Sequence, residues 1–134
     1  MPVKAKIRFD YKAEAGQKRR LFWRRIDLRE IARENRDRQV DLLKNLPFQG
    51  LSVTDLKVDY DPYLVPASEN SPEAAYAPVE LVVEADSIID LMPLTLKEEF
   101  RKIKVFEPEE IWLSNAEVER FIFKMNQEYW AEIQ

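Results

Sequence analysis

A chain of 134 residues and 15.9 kDa, 46% hydrophobic and 11% aromatic, suits one folded domain and is too apolar to stay disordered. It holds no cysteine and no histidine, which excludes disulfides, thiolate nucleophiles, cysteine zinc sites, Ser-His or Cys-His pairings and the preferred ligand of catalytic zinc. The net charge of −4 conceals a division: residues 1–46 carry 14 Lys and Arg against 7 Asp and Glu, whereas residues 47–134 carry 7 against 18. Such a chain can fold its basic part onto its acidic part, pair with a second copy, or turn the basic part toward an anionic partner.

From Val3 to Tyr11 apolar and charged residues alternate, the pattern of a half-buried antiparallel strand. The same opening lacks the apolar core of a signal peptide, and no window approaches the roughly 20 apolar residues of a membrane span, so a cytoplasmic protein is expected. Gly16 marks a turn, and a return strand is expected over 19–25, inside the segment KRRLFWRRI at 18–26. Asp27 with Glu30 has the spacing of a capping box, opening a helix over 28–45. On it Leu28, Ile31, Ala32, Asn35, Gln39, Leu42, Leu43 and Leu46 share one face, and Pro47 stops it.

A strand is expected over 51–60. Residues 61–78 contain four prolines and read as a long irregular connection, followed by a strand over 79–85. Ser87 opens a short apolar turn. Thr95 and Glu98 repeat the capping-box spacing before Phe100, and KIKVF at 102–106 reads as a last strand or as the tail of that helix. Pro108 suits the first position of a short helical turn through Trp112. Ser114 and Glu117 form a third box, starting a helix to about Glu132 with Val118, Phe121, Ile122, Met125 and Tyr129 on its core face.

This order predicts a single α+β domain over 1–134. Its centre is a ferredoxin-like βαββαβ unit, with an N-terminal hairpin strand and an extra C-terminal helix added.

Three features are candidates for function. The basic and aromatic segment supplies Phe22, Trp23, Arg24 and Arg25, and one stripe of the following helix extends it with Arg29, Arg33 and Arg36. Trp and Arg favour protein interfaces, while cations beside rings also suit RNA or single-stranded nucleic acid; the sequence pI of 5.1 argues against a dedicated nucleic-acid binder. Asp59 and Asp61, with Asp55, Glu80, Glu84 and Asp10, are the acids whose strand positions suggest a magnesium site of a nucleotide-acting enzyme. Finally, Phe123 and Trp130 lie off the core face of the last helix, which gives it a second apolar side for a neighbour. These features favour a non-catalytic binding module that associates with itself or another protein, with no cofactor and no membrane partner.

Overall fold

The computed structural model describes residues 2–14, 27–46 and 48–133. In chain order these form β1 (Val3–Glu14), α1 (Leu28–Lys44), β2 (Leu51–Lys57), β3 (Tyr63–Val65), β4 (Ala74–Ala85), a 3-10 turn (Ile88–Leu91), α2 (Met92–Thr95), β5 (Phe100–Glu107) and α3 (Asn115–Glu132). The five strands make one open, antiparallel sheet in the order β2-β4-β1-β5, with β3 also paired to β4. The protein is therefore α+β.

Strand periodicity decides which face is dry. Val3, Ala5, Ile7, Phe9, Tyr11 and Ala13 of β1 are buried, as are Ala75, Ala77, Val79, Leu81, Val83 and Ala85 of β4, and the register sets Ile7 opposite Leu81 and Phe9 opposite Val79. The odd-numbered residues of both central strands thus form one apolar layer. Leu43, Leu91 and Leu94 close it from α1, the 3-10 turn and α2, and Ile103 and Val105 of β5 pack at its margin. Phe9 adds edge-on ring contacts to Tyr11 and Phe100, each at 6.4 Å; burial pushes the Tyr11 phenol above its ordinary range.

The first helix forms where its apolar spacing places it, although the cap differs from a reciprocal box. The Asp27 side chain accepts from the Arg29 N–H at 3.1 Å, and Glu30 accepts from Arg33 Nη1 at 2.7 Å. Its buried face is Leu28, Ala32, Arg36 and Leu43, with Leu42 62% exposed, so the helix is turned relative to the expected face. The turn has a cause in the sheet. Leu28 and Ala32 pack onto Ala13, Ala75 and Ala77, small residues that let helix and strand approach closely.

Residues 61–78 are not an irregular connection. Tyr63, Leu64 and Val65 pair with Tyr76, Ala75 and Ala74, and β4 begins at Ala74, five residues before the expected start. Alanines have low intrinsic strand preference, and it is the α1 contact that selects them. Pro78 is tolerated inside this central strand because β4 changes its outer neighbour there: β2 pairs as far as Glu80 and β3 from Tyr76, so the missing N–H faces no partner strand.

Other boundaries move for local reasons. β2 ends at Lys57 rather than at 60, and a bulge between Val53 and Asp55 reconciles the inward Leu51 and Val53 with the inward Leu56. The Thr95–Glu98 spacing starts no helix; Thr95 Oγ1 instead donates to the Met92 carbonyl at 3.0 Å as α2 ends. The box in this region belongs to Ser87 and Asp90, where the Ser87 N–H donates to Asp90 Oδ2 at 3.1 Å. KIKVF is strand, and residues 108–112 are bends and irregular backbone rather than a helical turn. The return strand expected over 19–25 lies outside the described residues.

Candidate interaction surfaces

The last helix starts as its sequence dictates. The Ser114 hydroxyl accepts from the Glu117 N–H at 3.1 Å and the Glu117 carboxylate accepts from the Ser114 N–H at 3.0 Å, and these bonds hold the Glu117 carboxyl below its ordinary range. Beyond the cap, the packing of the helix departs from expectation. None of the 18 residues of α3 is buried. The residues turned toward the body include Glu117, Phe121, Lys124 and Glu128, with Phe121 and Lys124 half-buried, and their spacing puts them on one stripe of the helix.

Open clefts of about 420 and 520 Å³, both lined by Asp90 and Lys124, separate α3 from the 3-10 turn. Lys97 Nζ reaches Glu132 Oε1 at 3.4 Å near the far end. This ion pair ties the end of the helix to the body, Phe121 is half-buried, and the strongest apolar stripe of the helix points elsewhere. Val118 is 40% exposed, Ile122 59%, Met125 41% and Tyr129 51%. The expected core face of α3 is therefore corrected to a solvent face, with Phe121 alone of its five members turned inward.

Phe123 and Trp130 sit on a further side, 64% and 52% exposed, and Trp112, just before the helix, is 85% exposed. Aromatic side chains present roughly 150–250 Å² each, so Trp112, Phe123, Tyr129 and Trp130 at these exposures leave roughly 500 Å² of ring surface in water.

The polar face of the sheet is a second surface. Across it the even-numbered residues of β1 meet residues of β4 and β5: Lys4 faces Glu84 and Glu107, Lys6 faces Val82 and Lys104, Arg8 faces Glu80 and Lys102. At its centre Asp10, 2% exposed, accepts from Arg8 Nε at 2.8 Å, Arg8 Nη2 at 3.2 Å and the Tyr63 hydroxyl at 2.6 Å, with Arg101 Nε 3.8 Å away. The hydrogen bond to Asp10 raises the Arg8 guanidinium above its ordinary value, and burial followed by the same carboxylate pushes the Tyr63 phenol up. Tyr63 stacks on Tyr76 at 5.4 Å, and Arg101 lies over the Tyr76 ring at 5.3 Å.

The other sequence candidates separate in space and in role. Phe22, Trp23, Arg24 and Arg25 lie outside the described residues. Arg29 and Arg33 are solvated partners of Asp27 and Glu30 at 3.9 and 2.7 Å, pairs of small energetic weight at a surface. Arg36 belongs to the interior rather than to any outer stripe: it is 5% exposed and its Nη1 donates to the carbonyls of Tyr60 at 2.8 Å and Pro78 at 3.3 Å. Asp59 and Asp61 lie past the end of β2, Asp61 exposed and Asp59 largely so, and among the described residues no three Asp or Glu side chains converge as a metal site would require. Glu80 instead pairs with Lys6 at 3.7 Å. No helix among the described residues is long and apolar enough to cross a membrane.

Sequence alone marks Asp10 as no more than a strand charge, because its burial depends on β3, which lies in a segment expected to be irregular. Compared with known proteins, the chain matches no family model, no curated protein and no solved structure. The fold and these two surfaces define the class: an α+β domain with an open antiparallel sheet and an appended, unburied helix.

Proposed function

We propose that the protein is a non-catalytic binding module that assembles as a homodimer through α3. The observation that carries this is an 18-residue amphipathic helix with no buried residue. Helices of this length owe most of their stability in water to packing of an apolar face, and α3 lacks that packing among the described residues of its own chain.

The spacing of the exposed stripe argues for the occupant. Val118, Ile122, Met125 and Tyr129 follow one another at intervals of four, three and four, the period of a coiled-coil seam, whose complement is another helix with the same seam. A second copy supplies one, and an antiparallel pair about a twofold axis sets each seam against itself. All four seam residues are 40% or more exposed within the chain, so they are free to supply the apolar centre that stable interfaces bury.

Two finer readings accompany this one. The strand order β2-β4-β1-β5, with α1 and the 3-10/α2 segment as crossovers, supports a ferredoxin-like split βαβ unit with α3 appended. A cytoplasmic setting is the expectation that the sequence supports.

Light scattering on the purified chain is expected to give the mass of two chains at micromolar concentration. Ile122→Glu, which places a charge in the seam at a position 59% exposed within the chain, is expected to give a folded monomer with an unchanged far-ultraviolet dichroism spectrum. A strictly monomeric wild type would overturn the proposal.

A further inference from the structure

We infer that the polar face of the sheet, along β1 and β5, binds single-stranded nucleic acid. The observation is a square of four cations on two neighbouring rungs. Lys6 lies directly opposite Lys104 and Arg8 directly opposite Lys102, and like charges facing each other across strands destabilise a sheet. The cations of β1 have anionic partners, Lys4 in Glu107 at 3.4 Å, Lys6 in Glu80 at 3.7 Å and Arg8 in Asp10 at 2.8 Å, so the uncompensated charge of the square lies on β5. Lys102 and Lys104 are both on the solvent side of β5, and neither has an anionic partner among the described residues.

Protection of the sheet edge does not account for this. Among the described residues β5 is an edge strand, and lysine on an edge discourages pairing with other chains. A charge of either sign would do so, however, and a glutamate at 102 or 104 would also pair with Arg8 or Lys6. A polyanion bound across Lys102 and Lys104 would offset the like-charge opposition that these two positions create.

The rings favour a single strand over other polyanions. Tyr63, stacked on Tyr76, lies beyond the square at the end of β1 where Lys12 faces Tyr76. At the opposite end Phe106, set out of the ladder by the bulge between Val105 and Glu107, is 48% exposed. Unpaired bases stack on such rings while phosphates meet the cations. A duplex offers no free base faces, and polyphosphate has none. Successive rungs on one face are about 6.6–6.8 Å apart, close to the spacing of phosphates along an extended strand.

The test is fluorescence anisotropy with a labelled oligothymidine, the matching duplex and polyphosphate, across a salt series. The single strand is expected to bind best. Lys102→Ala with Lys104→Ala should lower the slope of log K against log salt by about 1.4, roughly 0.7 for each phosphate of a single strand that no longer meets a cation. Phe106→Ala should weaken binding about 10-fold or more with the slope unchanged. Lys104→Glu should weaken binding while raising the melting temperature, a combination that a merely structural lysine would not show. Absence of binding at low salt, binding unaffected by these substitutions, or equal affinity for duplex and polyphosphate would each overturn the inference.

Discussion

Arg36 of α1 donates through Nη1 to the carbonyl of Pro78, 3.3 Å away, at the point where β4 has lost β3 as a neighbour and has not yet gained β2. The same nitrogen reaches the Tyr60 carbonyl at 2.8 Å. One guanidinium therefore satisfies two main-chain acceptors in a gap of the sheet, and its Nε faces Asp37 at 3.3 Å. Removing it leaves these carbonyls without that donor, each costing about 1–3 kcal/mol. Arg36→Ala is expected to lower unfolding stability by about 2–4 kcal/mol, and Arg36→Lys, whose single ammonium lacks the planar fork, by an intermediate amount. Urea unfolding monitored by tryptophan fluorescence measures both.

Asp10 ties three segments together, since its carboxylate accepts from Arg8 within β1 and from Tyr63 in β3, and faces Arg101 in β5. Asp10→Ala would leave Arg8 and Arg101 facing each other without the anion between them. A loss of about 2–4 kcal/mol is expected, as for breaking a buried ion pair, and hydrogen exchange should show β3 released from β4 before the rest of the sheet opens.

The Tyr63 phenol also makes an alkaline prediction. Its folded-state pKa is raised above the ordinary 10.0, by burial first and by Asp10 second. A raised value favours the protonated form in the fold. The contribution is therefore complete below about pH 10 and is lost as pH rises through the higher folded value. Tyr63→Phe removes this group from the titration, so stability above about pH 10 should fall less steeply in the variant than in wild type. Chemical denaturation at a series of alkaline pH values checks the slope.

Gly50 has φ of 76°, and a Cβ there would lie 2.8 Å from Asp90 Oδ2 and 3.2 Å from Asp86 Oδ2. Its carbonyl also accepts from the Asp86 N–H at 2.8 Å. Gly50→Ala combines left-handed strain with displacement of the carboxylate that bonds Ser87, and is expected to cost about 1–3 kcal/mol. Asn at this position tolerates the backbone but not the contact, so it should recover only part of the loss in a thermal melt.

Self-association through α3 links stability to concentration. The melting temperature of the wild type should rise with protein concentration, because the dimer is favoured by mass action, whereas that of Ile122→Glu should be flat. Differential scanning fluorimetry over a range of concentrations distinguishes them.

Local pattern was enough to define several elements. The alternation from Val3 to Tyr11 marks β1, the apolar spacing after Asp27 marks α1, and the Ser114–Glu117 box marks the start of α3 within a residue. The absence of cysteine and histidine likewise narrows the chemistry from composition alone. These are properties of neighbours in the chain, set by backbone geometry and by residue type.

Tertiary structure decided the rest, because it concerns groups distant in sequence. Alanines 75 and 77 become strand where α1 packs on them. Arg36 changes from a surface cation to a buried donor only because Tyr60 and Pro78 present bare carbonyls to it. The Lys6–Lys104 and Arg8–Lys102 oppositions exist only in the register of β1 against β5, residues nearly a hundred apart. Periodicity correctly gave α3 an apolar face; whether that face meets its own core or another molecule is fixed by how the helix is hung, and here the body takes Phe121 and Lys124 and leaves the apolar seam to water.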